Sequence, residues 1–131
     1  MSLTIDVSNK VVVVIGGTSG INRGVAELFA KHGARVAVAS RSEEKVAETV
    51  ETLKSHGVDS MGFSADVRDE DAIKKGLVTV HEKFGDFDIL VSGAAGNFPA
   101  TANGMSANAF RSVIEIDVLG TFHVMKSSYP F

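Results

Sequence analysis

A glycine-rich segment near the start of the chain has the residue types and the context of an anion-binding turn. An uninterrupted apolar run, residues 11–15, leads into it, and Val25, Leu28 and Phe29 follow it with helical spacing. A helix N-terminus presents unpaired N–H groups and a partial positive charge, and glycine lets the backbone approach a phosphate. The segment predicts a nucleotide-phosphate site, with a purely structural turn as the alternative. The candidate phosphate-binding residues are Gly16, Gly17, Thr18, Ser19 and Gly20.

The residues about 20 positions beyond these glycines indicate which nucleotide would bind. Dinucleotide-binding folds usually carry a carboxylate there, which binds the ribose 2′-hydroxyl. This chain has Ser40, Arg41 and Ser42 instead. Serine and arginine can hydrogen-bond and neutralise a 2′-phosphate that a carboxylate would repel, so the pattern favours NADP(H) over NAD(H). The alternative is that Arg41 is a solvated residue at a helix start, paired with Glu43 or Glu44.

An aspartate closes the third predicted strand. Asp66, followed by Val67, lies at the sheet edge where open α/β sheets bind their ligands. Its carboxylate is a candidate for a hydrogen bond near an adenine ring, and a cap on the following helix is the alternative. Arg68 is a candidate phosphate contact, with an ordinary surface arginine as the alternative.

The loop after the fourth predicted strand, residues 93–104, is rich in glycine and alanine. Small side chains let the backbone, for example at Ala94, lie close to a flat ligand. Asn97 and Phe98 are the sizeable residues before Pro99, which makes them candidate substrate contacts. The alternative is a flexible surface loop.

An acidic residue interrupts the apolar stripe of the last predicted helix. Asp117 falls between apolar positions at helical spacing, namely Phe110, Val113, Ile114 and Val124, with Thr121 beside them. Burying an unpaired carboxylate is costly, and such groups are enriched at active sites. Asp117 is therefore the leading catalytic candidate, and a buried structural hydrogen bond is the alternative. A second face with Ile116, Leu119 and His123 predicts contact with another subunit through helix 106–127; His123 has no partner at metal-ligand spacing, so no metal site is predicted.

Strands and helices alternate along the sequence with short connections. This pattern predicts an α/β fold of three layers, α/β/α, with a doubly wound parallel sheet of the Rossmann type. A capping box, Ser40 with Glu43 three residues later, marks the start of the second helix, and Ile73, Leu77, Val80 and Phe84 form the apolar stripe of the third. The predicted strands are 11–15, 35–39, 60–65 and 87–91, and helices end near residues 32, 56 and 127.

Composition and charge exclude several functional classes. A net charge of −3 lacks the basic surplus of a nucleic-acid-binding domain. No apolar run approaches the roughly 18 residues that span a bilayer, so no membrane segment is predicted. The absence of cysteine excludes disulfides and suits a reducing compartment. The start of the chain lacks the pattern of a signal peptide, and we expect a cytoplasmic protein.

These residues resemble the short-chain dehydrogenase/reductase family over essentially all 131 positions. The glycine segment is similar to that family's cofactor turn, residues 66–67 to its Asp-Val, and residues 92–96 to its Asn-Asn-Ala-Gly segment. Within the family, the chain most resembles the 2,4-dienoyl-CoA reductases, especially the peroxisomal type. The segments that carry this resemblance are 39–42, 66–68, 94–98 and 106–122.

The resemblance implies a homo-oligomeric NADPH enzyme, tetrameric or dimeric, that reduces a dienoyl-CoA thioester to a 3-enoyl-CoA. Hydride would reach the δ carbon and a proton the α carbon. It implies that residues 16–21, Arg41 and Asp66 hold the cofactor, and that Asp117 is catalytic, as in the peroxisomal-type enzymes, where most family members have asparagine. The residues implied for the CoA-ester site are Arg68, Phe98, Ser106 and Asn108.

The chain departs from the family pattern at Ile15, at Asn22 in place of the third glycine, and at Ser92-Gly93 in place of the Asn-Asn pair. The family's serine and Tyr-x-x-x-Lys segment would lie beyond residue 131. We therefore expect the N-terminal part of a single-domain reductase, truncated after its fourth β-α unit and without turnover by itself. The alternatives are a 3-oxoacyl or alcohol-type dehydrogenase and a non-catalytic nucleotide-binding module. A methyltransferase is disfavoured because the acidic residue after the second strand is absent.

Overall fold

The computed structural model describes residues 2–97 and 99–131 as a parallel sheet between two layers of helices. The strands are β1 (Val11–Ile15), β2 (Arg35–Ser40), β3 (Ser60–Ser64) and β4 (Ile89–Ser92). The helices are α1 (Gly20–Lys31), α2 (Glu43–Lys54), α3 (Glu70–Phe84), α4 (Ala107–Ile114) and α5 (Gly120–Ser128), with a π-helical segment, Glu115–Leu119, joining the last two. This confirms the predicted three-layer, Rossmann-type fold class.

The strand order is β3-β2-β1-β4, so the most apolar strand lies in the interior of the sheet. Val12 of β1 is in register with Val36 of β2 and with Ile89 of β4. Val13 and its alternate neighbours pack with α3 and α5, whereas Val12 and Val14 pack with α1 and α2. Since both faces of β1 are buried, every residue of this strand must be apolar, and this is why its sequence shows no alternation.

Two helix starts differ from the predicted capping pattern. The Oγ of Ser42, rather than of Ser40, caps α2 by accepting a hydrogen bond from the N–H of Lys45 at 3.3 Å. Ser40 is the last residue of β2 and cannot cap, because the strand continues one residue further than predicted. Asp69 caps α3 by accepting from the N–H of Ala72 at 3.1 Å. The alternative interpretation of Asp66 as the cap of this helix is therefore wrong.

The last predicted helix is not one regular α-helix. Its π-helical segment, residues 115–119, contains Asp117 and widens the turn at this point. Phe110 and Ile114 before this segment are exposed (61% and 39%), whereas Val124 after it is buried. The prediction that these apolar residues share one buried stripe is wrong for the first half of the helix. His123 faces the domain, and its Nδ1 lies 2.7 Å from the carbonyl oxygen of Val67.

The described residues contain neither a helix that could cross a membrane nor a metal-binding cluster. No helix in residues 2–97 and 99–131 is long and apolar enough to cross a membrane. The same part of the chain contains no cluster of three histidine, aspartate or glutamate residues that could hold a metal ion.

Candidate functional site

A cleft of about 560 Å³ opens at the carboxyl ends of the parallel strands. Strands β1, β2 and β3 contribute their last residues or the residues that follow them, and the loop after β4 closes the opposite side. Ligands of open α/β sheets bind at this edge. The lining residues are Ile15, Gly16, Thr18, Ser19, Asn22, Ala39, Ser40, Arg41, Ala65, Asp66, Val67, Gly93, Ala94, Ala95, Gly96, Asn97 and Ile116.

The glycine turn packs directly against the loop that follows β4. Gly16 has φ +77°, and a Cβ at this position would lie 2.8 Å from the backbone nitrogen of Ala94. The N–H groups of Gly16 and Gly17 donate to the carbonyl oxygen of Ala39 at 2.7 and 3.3 Å. The first two glycines therefore build the turn, and free donors for a phosphate begin at Thr18 and the first turn of α1.

The end of β2 presents the cation Arg41 to the cleft, next to a serine whose hydroxyl is buried. Arg41 is exposed and has no carboxylate within 4.0 Å among residues 2–97 and 99–131, so the predicted alternative of pairing with Glu43 or Glu44 is not what the structure shows. The Oγ of Ser40 is buried and has no hydrogen-bond partner in the described part of the chain. An exposed guanidinium suits a phosphate ligand.

Asp66 lies in the cleft with its carboxylate already paired. Arg68 donates to both carboxylate oxygens, the shortest distance being 2.7 Å from Nη2 to Oδ2, and its backbone N–H donates to Oδ1 at 3.0 Å. The hydrogen bonds from the Arg68 side chain lower the pKa of Asp66 below its ordinary value of 3.8. Asp66 is therefore a charged acceptor at neutral pH, and Arg68 orients it from outside the cleft.

This ion pair predicts a dependence of stability on acid. Because the folded pKa of Asp66 is lowered, the pair stabilises the fold above the ordinary pKa of 3.8, and the stabilisation is lost as the pH falls through the folded pKa. We expect Arg68→Ala to lower the free energy of unfolding at about pH 6, with a smaller difference at about pH 3, as measured by urea unfolding. An equal difference at both pH values would show that the arginine acts through packing alone.

Asp117 has a partner in the loop after β4. Its Oδ1 accepts a hydrogen bond from the N–H of Gly96 at 2.8 Å, and its backbone oxygen accepts from Oγ1 of Thr121 at 2.6 Å. The expected unpaired carboxylate is instead partly buried and hydrogen-bonded, which is the alternative that the sequence left open. Within the described residues, Oδ2 of Asp117 has no hydrogen-bond donor. The carboxylate therefore holds a glycine of the cleft wall and retains one free oxygen.

The chain matches the model of a known protein family. The family model for short chain dehydrogenases matches residues 10–131. The chain belongs to the short-chain dehydrogenase family. This confirms the resemblance inferred from the glycine segment and the loop after β4.

Relatives of this short-chain dehydrogenase include curated enzymes and solved structures. It is 36% identical to the peroxisomal 2,4-dienoyl-CoA reductase of Arabidopsis thaliana, over 95% of this chain and 42% of that protein. It is 39% identical to the enzyme of the same name from Rattus norvegicus, over 92% of this chain and 42% of that protein. A crystal structure of an actinorhodin polyketide ketoreductase variant with NADPH superposes with a TM-score of 0.87 at 31% identity, covering 96% of this chain and 48% of that one. The chain thus spans less than half the length of these relatives.

Several predicted residues of this short-chain dehydrogenase lie outside the cleft. Ser106 caps α4, and its Oγ accepts from the N–H of Ala109 at 3.1 Å, while Asn108 accepts from Arg111 on the surface. Ser106 lines a separate open groove beside α4. The other predicted residues that do not line the cleft are Gly17, Gly20, Ile21, Ser42, Arg68 and the catalytic candidate Asp117, which reaches the cleft wall only through its hydrogen bond with Gly96. Phe98 lies outside the described residues.

The sequence analysis did not select some residues that the short-chain dehydrogenase cleft contains. Ile116 lines the cleft from the π-helical segment, and Gly93 and Gly96 line it from the loop after β4. Asn22 lines it from the first turn of α1, where sequence comparison showed only a departure from the family pattern. The two glycines could have been selected from their position in the sequence, because both follow the carboxyl end of β4.

Proposed function

We propose that this chain is the N-terminal, nucleotide-binding part of an NADP(H)-dependent reductase that acts on 2,4-dienoyl-CoA thioesters. The observation that carries the nucleotide preference is Arg41 at the end of β2, which lines the cleft and has no carboxylate within 4.0 Å among the described residues. The substrate class is supported by relatives that are named 2,4-dienoyl-CoA reductases. The similar ketoreductase structure was solved with NADPH.

The residues of the cleft fit such a nucleotide. The exposed guanidinium of Arg41 can hydrogen-bond and neutralise a ribose 2′-phosphate. Gly16 lacks the Cβ that would narrow the cleft, and the start of α1 offers backbone N–H donors to a pyrophosphate. The charged carboxylate of Asp66 can accept a hydrogen bond from an adenine amino group.

The positions of these residues suggest what the nucleotide and the protein would each contribute to the reaction. When bound, NADPH supplies the hydride that the reaction consumes. The chain's own residues bind the nucleotide and shape the wall where the thioester would lie, with Asn97 a proposed substrate contact and Phe98, which is not described, another. We propose that Asp117 holds the loop through Oδ1 and takes part in proton transfer through Oδ2, which has no hydrogen-bond donor among the described residues.

The reaction is tested by comparing two thioesters with the full-length protein. We expect consumption of NADPH with a 2,4-dienoyl-CoA and little with a 3-oxoacyl-CoA, followed through the absorbance of the reduced nicotinamide. Activity with the oxoacyl compound alone would favour the alternative reductase class. Calorimetry with NADPH checks the other alternative, because nucleotide binding without turnover of either thioester would indicate a non-catalytic module.

We propose that a second copy of the protein covers the exposed face of α4 and α5. Phe110, Val118, Phe122 and Met125 are each more than half exposed, and together they form an apolar stripe along this helix. This supports the predicted homo-oligomer, either dimer or tetramer, but not through the predicted face, because Ile116 lines the cleft and His123 contacts Val67. A monomeric full-length protein in sedimentation velocity would contradict the proposed oligomer. The expected cytoplasmic location stays a prediction, since the named relatives are peroxisomal.

A further inference from the structure

The side chain of Asn22 bridges two elements that are distant in sequence. Its Nδ2 donates a hydrogen bond to the carbonyl oxygen of Gly93 at 3.0 Å, in a partly buried position 71 residues away. Asn22 belongs to the first turn of α1, and Gly93 is the first residue after β4. The bond therefore ties the helix that follows the glycine turn to the opposite wall of the cleft.

The bridge depends on the absence of a side chain at Gly93. A Cβ added there would overlap the Asn22 amide, and the three nearest heavy atoms all belong to that amide. Gly93 is not among the residues with a positive φ, so its backbone would accept alanine. A side chain at position 93 and the Asn22 amide in its present place therefore exclude each other.

The position of this pair in the sheet indicates which part of a ligand it would affect. Arg41 and Asp66 follow β2 and β3, on one side of β1, whereas Gly93 follows β4 on the other side. The N–H of Gly93 also donates to the carbonyl oxygen of Ile15 at 2.8 Å, so this wall is joined to β1 as well. A dinucleotide that binds its adenosine half near Arg41 and Asp66 must place its other half past β1, against this wall.

We propose that Asn22 is a positioning residue, and that Asn22 and Gly93 form a size-matched pair that fixes the wall for the nicotinamide half of the nucleotide. This inference rests on the proposed function. The pair aligns the wall through the hydrogen bond to Gly93, and the Asn22 amide takes the space that a side chain at position 93 would need.

The first test is the affinity of the full-length protein for two ligands. We expect Asn22→Ala to weaken NADPH binding about fivefold, as expected for the loss of one neutral hydrogen bond, and to leave binding of adenosine 2′,5′-bisphosphate unchanged. Calorimetry with each ligand measures both. Gly24→Ala is the control. Gly24 lies on the same helix as Asn22, and a Cβ at this position would meet nothing within 4 Å, so the substitution should change neither affinity.

The second test is a double-mutant cycle. Gly93→Ala should displace the Asn22 amide, break the hydrogen bond and weaken NADPH binding about as much as Asn22→Ala does. Asn22→Ala combined with Gly93→Ala should then bind NADPH no more weakly than either single variant, because the overlap is gone. Additive losses in the double variant would overturn the size-matched pair.

The outcomes separate this inference from the proposed function. If the unchanged protein binds neither NADPH nor adenosine 2′,5′-bisphosphate, the proposed function fails. If it binds both, but Asn22→Ala weakens both equally or neither, then the function stands and the positioning role of Asn22 is wrong. Thermal unfolding of each variant without ligand identifies a general loss of folding, which would weaken the binding of both ligands.

Discussion

If the proposed function holds, Asp117→Asn is expected to lower kcat/KM of the full-length protein about 10²-fold while leaving the fold and NADPH affinity unchanged. Asparagine keeps an oxygen that can accept the hydrogen bond from Gly96, so the loop should stay in place. It removes the ionisable oxygen, and loss of a positioned acid–base group costs roughly 10²- to 10⁴-fold in rate. Steady-state kinetics with a dienoyl-CoA, together with calorimetry for NADPH, measure the two effects.

A second substitution at the same position separates positioning from proton transfer. Asp117→Ala removes both the free oxygen and the acceptor for the Gly96 N–H, so it should lower kcat/KM further and also weaken nucleotide binding. If Asp117→Asn retains full activity and Asp117→Ala loses it, Asp117 acts only by holding the loop. In that case the only role of Asp117 would be its structural hydrogen bond, which is the alternative stated in the sequence analysis.

Arg41→Ala is expected to weaken NADPH binding roughly 10- to 100-fold and to leave NADH binding nearly unchanged. The physical reason is that only NADPH carries the 2′-phosphate, whose charge the guanidinium neutralises. Among the described residues, no carboxylate within 4.0 Å competes for Arg41, so its removal leaves no newly unpaired acid that would complicate the result. Calorimetry with both nucleotides gives the ratio of the NADPH and NADH affinities for each variant.

Lys45→Ala serves as the matched control for this experiment. Lys45 is an exposed cation on the first turn of α2 and does not line the cleft. Its loss should reduce both affinities slightly, through long-range electrostatics that salt screens. Equal weakening of NADPH and NADH by Arg41→Ala would contradict the proposed 2′-phosphate contact, and a wild-type preference for NADH would overturn the nucleotide assignment.

The architecture and the position of the cleft could be predicted from the pattern of residue types. Uninterrupted apolar runs such as Val11 to Ile15 indicated strands buried on both faces, and the alternation with helical stripes indicated a parallel sheet. Such patterns are local and repeat over several residues, so the physical preference they encode survives without knowledge of tertiary contacts. The carboxyl ends of these strands then placed Thr18, Arg41 and Asp66 at one edge, where the structure has them.

The contacts of the polar groups in the site could not be predicted and are known only from the folded structure. The sequence could not show that Asp117 pairs with Gly96, that Asn22 bridges to Gly93, or that the helix carrying Asp117 contains a π-helical turn. Each of these depends on residues that are 21 to 71 positions apart or on a local change of helix type. A hydrogen bond is set by the relative placement of two whole elements to within an ångström, and no local pattern of residue types encodes that distance.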